Sequence, residues 1–356
     1  EAEYTDMPLN AIATGMVDYI LPVAEIPAKI LSYNKRIGSL EVFEAPTEGL
    51  KTDEQALIEI FTHLRRRTGH DFSNYKRATI LRRIGRRLSL RELSGLSQYA
   101  DYLREHPEEV QGLMKDLLIS VTNFFRDPEA IEALAEKVVP GIFEKNSDEQ
   151  VRIWIAGCAT GEEAYSIAMV FSEYALRMGI DTPIQLFATD LDEEAVQVAR
   201  EGYYRDAEVA DVSPERLRRF FNREAQGYRV RRELRESILF AVHNVIKDPP
   251  FSHLDLVSCR NLLIYLNRTA QKRVMEILHF ALNPGGHLFL GAAESVEGLT
   301  DLFSTVDKDN HIYRSSLVGP RPFPAPRCAW RRCWRAAGRC RRPDRSGRGS
   351  ACARTG

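Results

Sequence analysis

Cysteine is scarce in the body of this chain, where it occurs at Cys158 and Cys259, and the other four of its six cysteines fall within residues 317–356. This usage argues against a disulfide framework and predicts a reduced, cytoplasmic protein. Long apolar runs are also missing: none is long enough to cross a bilayer, and no signal peptide is recognisable. We therefore expect no membrane insertion.

An excess of charge of either sign is absent as well. Lysine and arginine number 49 and aspartate and glutamate 50, so the net charge is −1. A nearly neutral chain creates no overall field that would attract nucleic acid or a membrane surface. His, Cys and Asp residues nowhere cluster with the spacing of metal ligands, so no metal is expected. The 356 residues, 44% of them hydrophobic, suffice for two globular domains.

One stretch, Val151–Ser166, joins an apolar run to a turn of small residues and then to a helix. Val151–Ala156 is rich in β-branched and aromatic residues and predicts a buried strand of a parallel sheet. Gly157–Gly161 follows as a tight turn, and an amphipathic helix begins at Glu162. This order is typical of the ligand-side corner of a doubly wound sheet, where small residues let the backbone approach a ligand. The alternative is an ordinary strand–helix connection in an α/β core.

The turn lacks the GxGxxG pattern of dinucleotide-binding loops, because Ala159 occupies its middle position and Glu162 and Glu163 follow it. Carboxylates at a helix N-terminus repel a pyrophosphate and compete for the free N–H groups. This argues against a dehydrogenase on the same fold. The same carboxylates suit a ligand that carries positive charge, such as S-adenosylmethionine (SAM), which has an ammonium and a sulfonium group.

The next predicted strand, Ile184–Asp190, ends in an acid. A carboxylate at the tip of the second strand typically binds ribose hydroxyls. Gly157, Glu163 and Asp190 together therefore predict the SAM site of a Rossmann-like methyltransferase. The alternative for Asp190 is a helix N-cap, since the next helix begins at Asp192.

Residues 53–120 have helical periodicity and no strand signals. Asp53 is predicted to cap a helix over Glu54–Arg67, whose apolar face is formed by Leu57, Ile58, Ile60, Phe61 and Leu64. A second helix is predicted over Tyr75–Leu88, and six basic residues cover its polar surface: Lys76, Arg77, Arg82, Arg83, Arg86 and Arg87. These charges indicate either a solvated face or a docking helix for an acidic partner. A nucleic-acid partner is not favoured, because no recognition motif accompanies the charge.

Three motifs in order carry a resemblance to a known family: GCATGEEAYSIAM from Gly157, FATDLD from Phe187 and LVSCRNLLIYL from Leu256. They resemble the CheR-type chemotaxis methyltransferases, which transfer a methyl group from SAM to glutamate side chains of bacterial chemoreceptors. The resemblance covers residues 53–316. It implies an α/β fold: a Rossmann-like SAM-dependent methyltransferase sheet with a small antiparallel β subdomain, preceded by an all-α N-terminal domain. It also implies that the basic helix Tyr75–Leu88 contacts the cytoplasmic domain of a chemoreceptor.

The resemblance assigns a segment between the two domains to the site. The family motif is N-x-T-x-F-F-R, and this chain has Ser120, Thr122 and Arg126 at its three polar positions, with Ser120 in place of the usual Asn. Thr122 and Arg126 are implied to reach the SAM and the reacting groups. Without the resemblance, the residues alone favour a structural role for Arg126.

Further site residues follow later strands. Asn244 and Val245 are implied to contact the adenine end of SAM, the alternative being a plain turn at a strand end. Arg260 and Asn261 end the strand predicted over residues 254–261, and ligands of open α/β sheets bind at such carboxyl ends. The family assigns both to the cofactor pocket. Tyr265 is implied to lie near the transferred methyl group, with packing at a helix start as the alternative.

The remaining segments complete the predicted organisation. Residues 1–36 resemble the C-terminal end of a CheB-type methylesterase and predict a fragment of an esterase–methyltransferase fusion, followed by a linker over 37–52. Residues 121–316 form the predicted methyltransferase domain, and 317–356 a disordered tail. Within the methyltransferase domain, residues 227–230 and 231–244 predict a strand pair joined at 235–237.

The predicted reaction is direct displacement of the methyl group from sulfur by a receptor glutamate. That carboxylate is already ionised near neutral pH, so no general base is needed. Arg126 is expected to orient the carboxylate or the cofactor, Tyr265 to position donor and acceptor, and Glu163 to hold the methionine ammonium or a neighbouring group. The alternative function is a catalytically silent receptor-binding module.

Overall fold

The computed structural model describes residues 21–31, 50–118, 121–146, 150–296 and 301–316. The predicted tail and Ser120 lie outside these residues, as do most of the methylesterase-like segment and of the linker. No helix in the described ranges is long and apolar enough to span a membrane.

The N-terminal part consists of helices whose apolar stripes meet in one core. Ile60, Leu64, Ile80 and Ile84 are fully buried there, as their helical spacing predicts. The helices are α1 (Leu50–Thr68), α2 (Arg77–Leu90), α3 (Leu96–Glu105) and α4 (Glu109–Leu117).

Two details of α1 differ from the prediction. The helix begins at Leu50, so Asp53 lies in its first turn instead of capping it. Ile58 was expected on the apolar face but is exposed. The core contacts one side of α1, at positions such as Leu57, Ile60 and Leu64, and Ile58 falls outside that stripe.

Helix α2 begins two residues later than predicted. A 3₁₀ turn over Phe72–Asn74 precedes it, and Tyr75 is extended and forms an antiparallel bridge with Leu266 of the sheet-containing part. The backbone of Tyr75 is therefore used for pairing between the two parts of the chain. Periodicity alone did not reveal this, because a bridge of one residue has no pattern.

The prediction that all six basic residues of α2 cover its polar surface is wrong for Arg86 and Arg87. Arg87 donates two hydrogen bonds of 2.7 Å to the buried carboxylate of Glu109, and Arg86 lies 2.7 Å from Asp116. These two cations point inward because α4 supplies acidic partners for them. Lys76, Arg82 and Arg83 make no salt bridge within the residues that the structure describes.

The second part is a layered α/β domain. Its central strand β1 is fully buried at Val151, Ile153, Trp154 and Ile155, as expected for a strand covered on both faces. Its elements are α5 (Pro128–Lys137), α6 (Val139–Lys145), β1 (Val151–Ala156), α7 (Glu162–Met178), β2 (Ile184–Asp190), α8 (Glu193–Glu201), β3 (Tyr203–Arg205), α9 (Pro214–Phe220), β4 (Phe221–Glu224), β5 (Gly227–Val230), α10 (Arg232–Glu236), β6 (Ile238–Val242), β7 (Leu254–Cys259), α11 (Arg268–Ala281), β8 (Leu282–Leu290), β9 (Phe303–Asp307) and β10 (Ile312–Ser315).

The large sheet has the strand order β6-β2-β1-β7-β8-β10-β9 in the described part of the chain. Strands β6, β2, β1, β7 and β8 are parallel, and β10 runs antiparallel to both of its neighbours, β8 and β9. The ends of β1, β2, β6 and β7 therefore share one edge, which we call the carboxyl edge. This arrangement confirms the predicted fold class, and ligands of such sheets bind at this edge.

The small antiparallel sheet is present, with the order β3-β5-β4. The strand pair predicted from residues 227–244 is wrong, however. Strand β5 pairs with β3 and β4, whereas β6 joins the large sheet parallel to β2. The short helix α10 separates them, and Ile238 and Phe240 of β6 bury their side chains in the large core.

One buried histidine predicts how stability depends on pH. His287 in β8 is 6% exposed, and neither ring nitrogen has a hydrogen-bond partner among the described residues. Burial, with a smaller effect of Arg314 and Lys145, lowers its pKa from 6.5 to about 4. The unfolded chain therefore binds this proton at higher pH than the folded chain does.

We expect the free energy of unfolding to fall as the pH drops from 6.5 to 4, and His287 to account for up to about 3 kcal/mol of that loss. Urea unfolding of the wild type and of His287→Leu over this pH range measures the contribution of His287 to this loss, since the variant has no imidazole at this position. His253→Asn, at an exposed histidine, is the control and should keep the wild-type slope. Parallel pH profiles for wild type and His287→Leu would contradict the prediction.

Candidate active site

The loop after β1 folds back onto the end of β2. The N–H groups of Gly157 and Cys158 both donate to the carbonyl of Thr189, at 2.7 and 2.9 Å. Ala159 takes a left-handed backbone conformation, with φ 45°. The predicted turn at Gly157–Gly161 is thus confirmed, and its backbone lies directly beside the last residues of β2.

Close packing explains the glycine at the end of this loop. Gly161 has φ 97°, and a Cβ there would lie 2.8 Å from Ala199 Cβ and 3.0 Å from Tyr204 Oη. The Tyr204 hydroxyl donates to the carbonyl of Thr160 at 2.6 Å. The small sheet therefore supports the loop from one side through Tyr204, and only glycine fits this approach.

Asp190 joins the loop to the end of β2. Its Oδ2 accepts a hydrogen bond from the N–H of Ala159 at 2.8 Å, and its Oδ1 accepts one from Asp192 at 3.0 Å. The cap of α8 is Asp192, which accepts from the N–H groups of Glu194 and Ala195. Asp190 is therefore not the helix cap.

Burial also raises the pKa of the Asp190 carboxyl, and the hydrogen bonds that it accepts from backbone N–H groups oppose this rise. No cation of the described residues forms a salt bridge with it. A desolvated carboxylate at a sheet edge with unused acceptor positions fits the ribose hydroxyls of a nucleoside. The residues present here therefore suit the nucleoside end of SAM.

The two glutamates at the start of α7 have different surroundings. Glu163 accepts a 2.6 Å hydrogen bond from the Ser258 hydroxyl, and its other oxygen lies 3.5 Å from the guanidinium of Arg260. Glu162 is buried and accepts from the Thr160 hydroxyl, and burial raises its pKa. Glu163 thus belongs to the carboxyl edge, whereas Glu162 shapes the loop.

Arg260 braces the segment that carries Arg126. Its side chain is 1% exposed and lies over the ring of Phe289, 4.7 Å from the centroid. It donates to the carbonyl of Arg126 at 2.9 Å and to the carboxylate of Asp127 at 2.6 Å. Both hydrogen bonds come from Nη2, and Nε is buried without a partner among the described residues. Protein groups rather than open space thus surround this predicted cofactor-side residue.

Residues 121–127, which we call the Arg126 segment, have an unusual backbone. Phe125 and Asp127 on either side of Arg126 are left-handed, with φ 51° and 55°, and such residues persist only where surrounding contacts hold them. The N–H of Phe125 donates to the Ser166 hydroxyl at 2.9 Å. Arg126 itself donates to the carbonyl of Val121 at 3.0 Å. Thr122, in the same segment, is half-buried.

Asn244 forms a turn after the end of β6. Such a turn was the alternative to a contact between Asn244 and the adenine of SAM. Its side-chain oxygen accepts from the N–H groups of Ile246 and Lys247, and its own N–H donates to Asp248 at 2.8 Å. Val245 is half-buried and packs against the sheet. Contact of either residue with adenine stays a prediction.

Asn261 and Tyr265 lie in one short segment after β7. Asn261 is left-handed, with φ 58°, and Tyr265 ends a 3₁₀ turn that begins at Leu263. The carbonyl of Tyr265 accepts from the N–H of Lys76 at 2.8 Å. The helical part is thus bonded to the backbone of the residue predicted to lie near the methyl group.

Several residues that contact the predicted site were not singled out from the sequence. Ser166 and Ser258 are single hydroxyls inside apolar elements, and periodicity predicts Tyr75 as part of a helix. Burial, with a smaller contribution from Asp190, raises the pKa of Tyr75 to about 12. Glu294, which follows β8, has no role predicted from the sequence. None of them has a sequence pattern, because each acts through a contact distant in sequence.

Comparison with known proteins agrees with this geometry. Residues 120–312 match the family model described as "CheR methyltransferase, SAM binding domain", and residues 55–118 match "CheR methyltransferase, all-alpha domain". The boundary between the two matches falls where the helices end and the Arg126 segment begins. The cofactor of this domain is therefore SAM.

The chain spans different shares of the length of its relatives. The chain is 32% identical to chemotaxis protein methyltransferase 2 of Vibrio cholerae, over 67% of this chain and 84% of that protein. It is 34% identical to the putative methyltransferase Cher3 of Pseudomonas putida, over 69% and 92%. It is 36% identical to a 104.1 kDa protein of Rhodobacter capsulatus over 91% of this chain, which spans 36% of that relative's length. The two matched domains and these relatives show that the chain belongs to the CheR methyltransferase family.

Proposed function

We propose that this chain transfers the methyl group of SAM to glutamate side chains in the cytoplasmic domain of a chemoreceptor, and that it acts in the cytoplasm. The observation that carries the proposal is the convergence of Asp190, Glu163 and the braced Arg126 segment at the carboxyl edge. The relatives from Vibrio cholerae and Pseudomonas putida, which are named as methyltransferases, support it.

Bound SAM supplies an electrophilic methyl group on a positively charged sulfur. Asp190 would accept hydrogen bonds from ribose hydroxyls, and Glu163 would favour the positively charged end. Arg126 would orient the attacking glutamate carboxylate through charged hydrogen bonds, and Tyr265 would position it. Because that carboxylate is already ionised, the protein contributes orientation and exclusion of water, which can supply about 7–11 kcal/mol in favourable cases.

We also propose that α2 contacts the receptor through Lys76, Arg82 and Arg83. Lys76 and Arg82 are exposed, and Arg83 is half-buried. The N–H of Lys76 is bonded to the carbonyl of Tyr265, so this end of α2 lies beside the proposed reaction site. A glutamate-bearing helix would meet positive charge there.

The test measures transfer of labelled methyl groups from SAM to a chemoreceptor cytoplasmic fragment, with release of methanol in base as the signature of a glutamyl methyl ester. Arg82→Glu/Arg83→Glu should lower kcat/KM for the receptor fragment by about tenfold or more, which corresponds to about 1.4 kcal/mol. The affinity for S-adenosylhomocysteine (SAH), the demethylated cofactor, should not change, because both arginines lie outside the cofactor contacts.

Arg177→Glu/Lys145→Glu is the matched control, since both side chains are exposed and lie in the last turns of α7 and α6. Equal losses in the two double variants would contradict docking through α2. A folded wild type that binds SAH and the receptor fragment but transfers no methyl group would favour the silent receptor-binding module.

A further inference from the structure

Glu294 is a buried carboxylate that contacts backbone N–H groups. It follows β8 and is 5% exposed. Its Oε2 accepts from the N–H groups of Gly291 and Asn261, both at 2.9 Å. Its Oε1 accepts from Leu263 at 2.7 Å and from Ile264 at 3.3 Å. No lysine or arginine in the described ranges forms a salt bridge with it, so four N–H groups provide its stabilisation.

Three of these N–H groups belong to the segment Asn261–Tyr265. The first N–H groups of a helical turn have no partner inside that turn, and Leu263 and Ile264 begin the 3₁₀ turn that ends at Tyr265. Asn261 is held in a left-handed conformation, which asparagine adopts more readily than most residues with a side chain. Glu294 therefore accepts hydrogen bonds from donors that the segment cannot satisfy by itself.

The carboxylate reaches this segment because residue 291 is glycine. A Cβ on Gly291 would lie 2.9 Å from the backbone nitrogen of Asn261 and 3.0 Å from Glu294 Oε2. Any side chain there would push the segment and the carboxylate apart. The glycine thus allows the residues after β7 and those after β8 to approach each other closely.

We infer that Glu294 is a positioning residue for methyl transfer, which fixes the segment Asn261–Tyr265 at the carboxyl edge. The inference rests on the proposed function, because it takes Asn261 and Tyr265 as residues beside the cofactor and the methyl group. Glu294 acts through these residues and not on the substrate.

Glu294→Gln tests the inference at nearly constant side-chain size. Glutamine presents an NH₂ group to two of the four N–H donors, so half of the contacts are lost. Calorimetric titration with SAH should give a dissociation constant at least about tenfold higher, with an unchanged stoichiometry per folded protein. A merely structural role would lower the stoichiometry and leave the dissociation constant of the folded fraction unchanged.

Asp255→Asn is the matched control. Asp255 is a buried carboxylate near the opposite end of β7, where it accepts from the N–H of Arg152 at 3.0 Å and from the Asn283 amide at 2.9 Å. The same chemical change there should leave the dissociation constant for SAH within about twofold of the wild type, because its hydrogen bonds among the described residues go to Arg152 and Asn283 and not to the segment.

Gly291→Ala keeps the Glu294 carboxylate but obstructs its approach to the segment Asn261–Tyr265. This variant is the second test if Glu294→Gln does not fold. We expect weaker SAH binding for this variant too. Wild-type SAH affinity in both variants would overturn the inference while leaving the proposed function intact. Absence of SAH binding by folded wild type would instead overturn the proposed function.

Discussion

Asp190→Ala is expected to weaken SAH binding at least about a hundredfold. Hydrogen bonds from hydroxyl groups to a charged acceptor contribute about 1.5–3 kcal/mol each, and the loss of two of them corresponds to a hundredfold change or more at about 1.4 kcal/mol per factor of ten. The substitution also removes the acceptor of the Ala159 N–H. The glycine loop and the nucleoside contact are therefore disturbed by one change.

Calorimetric titration of SAH into purified protein measures the effect. Asp192→Ala is the control, because it removes the cap of α8 but keeps the Asp190 carboxylate, and it should cost about 1 kcal/mol of stability with little loss of affinity. Equal losses of affinity in the two variants would mean that the start of α8, and not the Asp190 carboxylate, determines binding.

Glu109→Gln is expected to destabilise the helical part by about 3–5 kcal/mol, the range found when one partner of a buried ion pair is removed. Its side chain is 1% exposed and accepts hydrogen bonds from Arg87, Arg91 and Tyr99. These contacts hold the pKa of Glu109 below its usual value despite burial. The variant leaves the guanidinium of Arg87, which is 13% exposed, without its bidentate partner.

Urea unfolding monitored by circular dichroism measures this loss. Glu108→Gln is the matched control, since Glu108 is the preceding residue and its side chain is exposed, and its unfolding midpoint should equal that of the wild type. A wild-type midpoint for Glu109→Gln would show that the buried ion pair does not stabilise the helical core. Because the folded pKa of Glu109 is lowered, its stabilising contribution is present above its ordinary pKa of 4.5 and is lost below it.

Those parts of the carboxyl edge that depend on a local sequence pattern could be predicted from the sequence. The bounds of β1 and β2 are those predicted, and the small-residue loop and the acid at the end of β2 lie together as expected. Buried parallel strands have continuous apolar runs, and small residues with acidic neighbours are specific enough to indicate a ligand type.

Predictions failed where the partner lies far away in the sequence. Alternation suggested that residues 227–244 form a hairpin, but apolar side chains of β6 gain more by joining the large sheet beside β2. Arg86 and Arg87 look like surface charge in α2, and only the packing of α4 against α2 reveals the acids that bind them.

The sequence by itself determined the class of fold, the order of strand, loop and helix around Gly157, and the acid at Asp190, because these depend on local periodicity and residue chemistry. Tertiary structure alone decided which charges face inward and which groups hold the site in place. Arg260 and Glu294 show the reason. Each stabilises a backbone segment through hydrogen bonds across long sequence separations, and a donor–acceptor pair of this kind exists only after the sheet has brought its strand ends together.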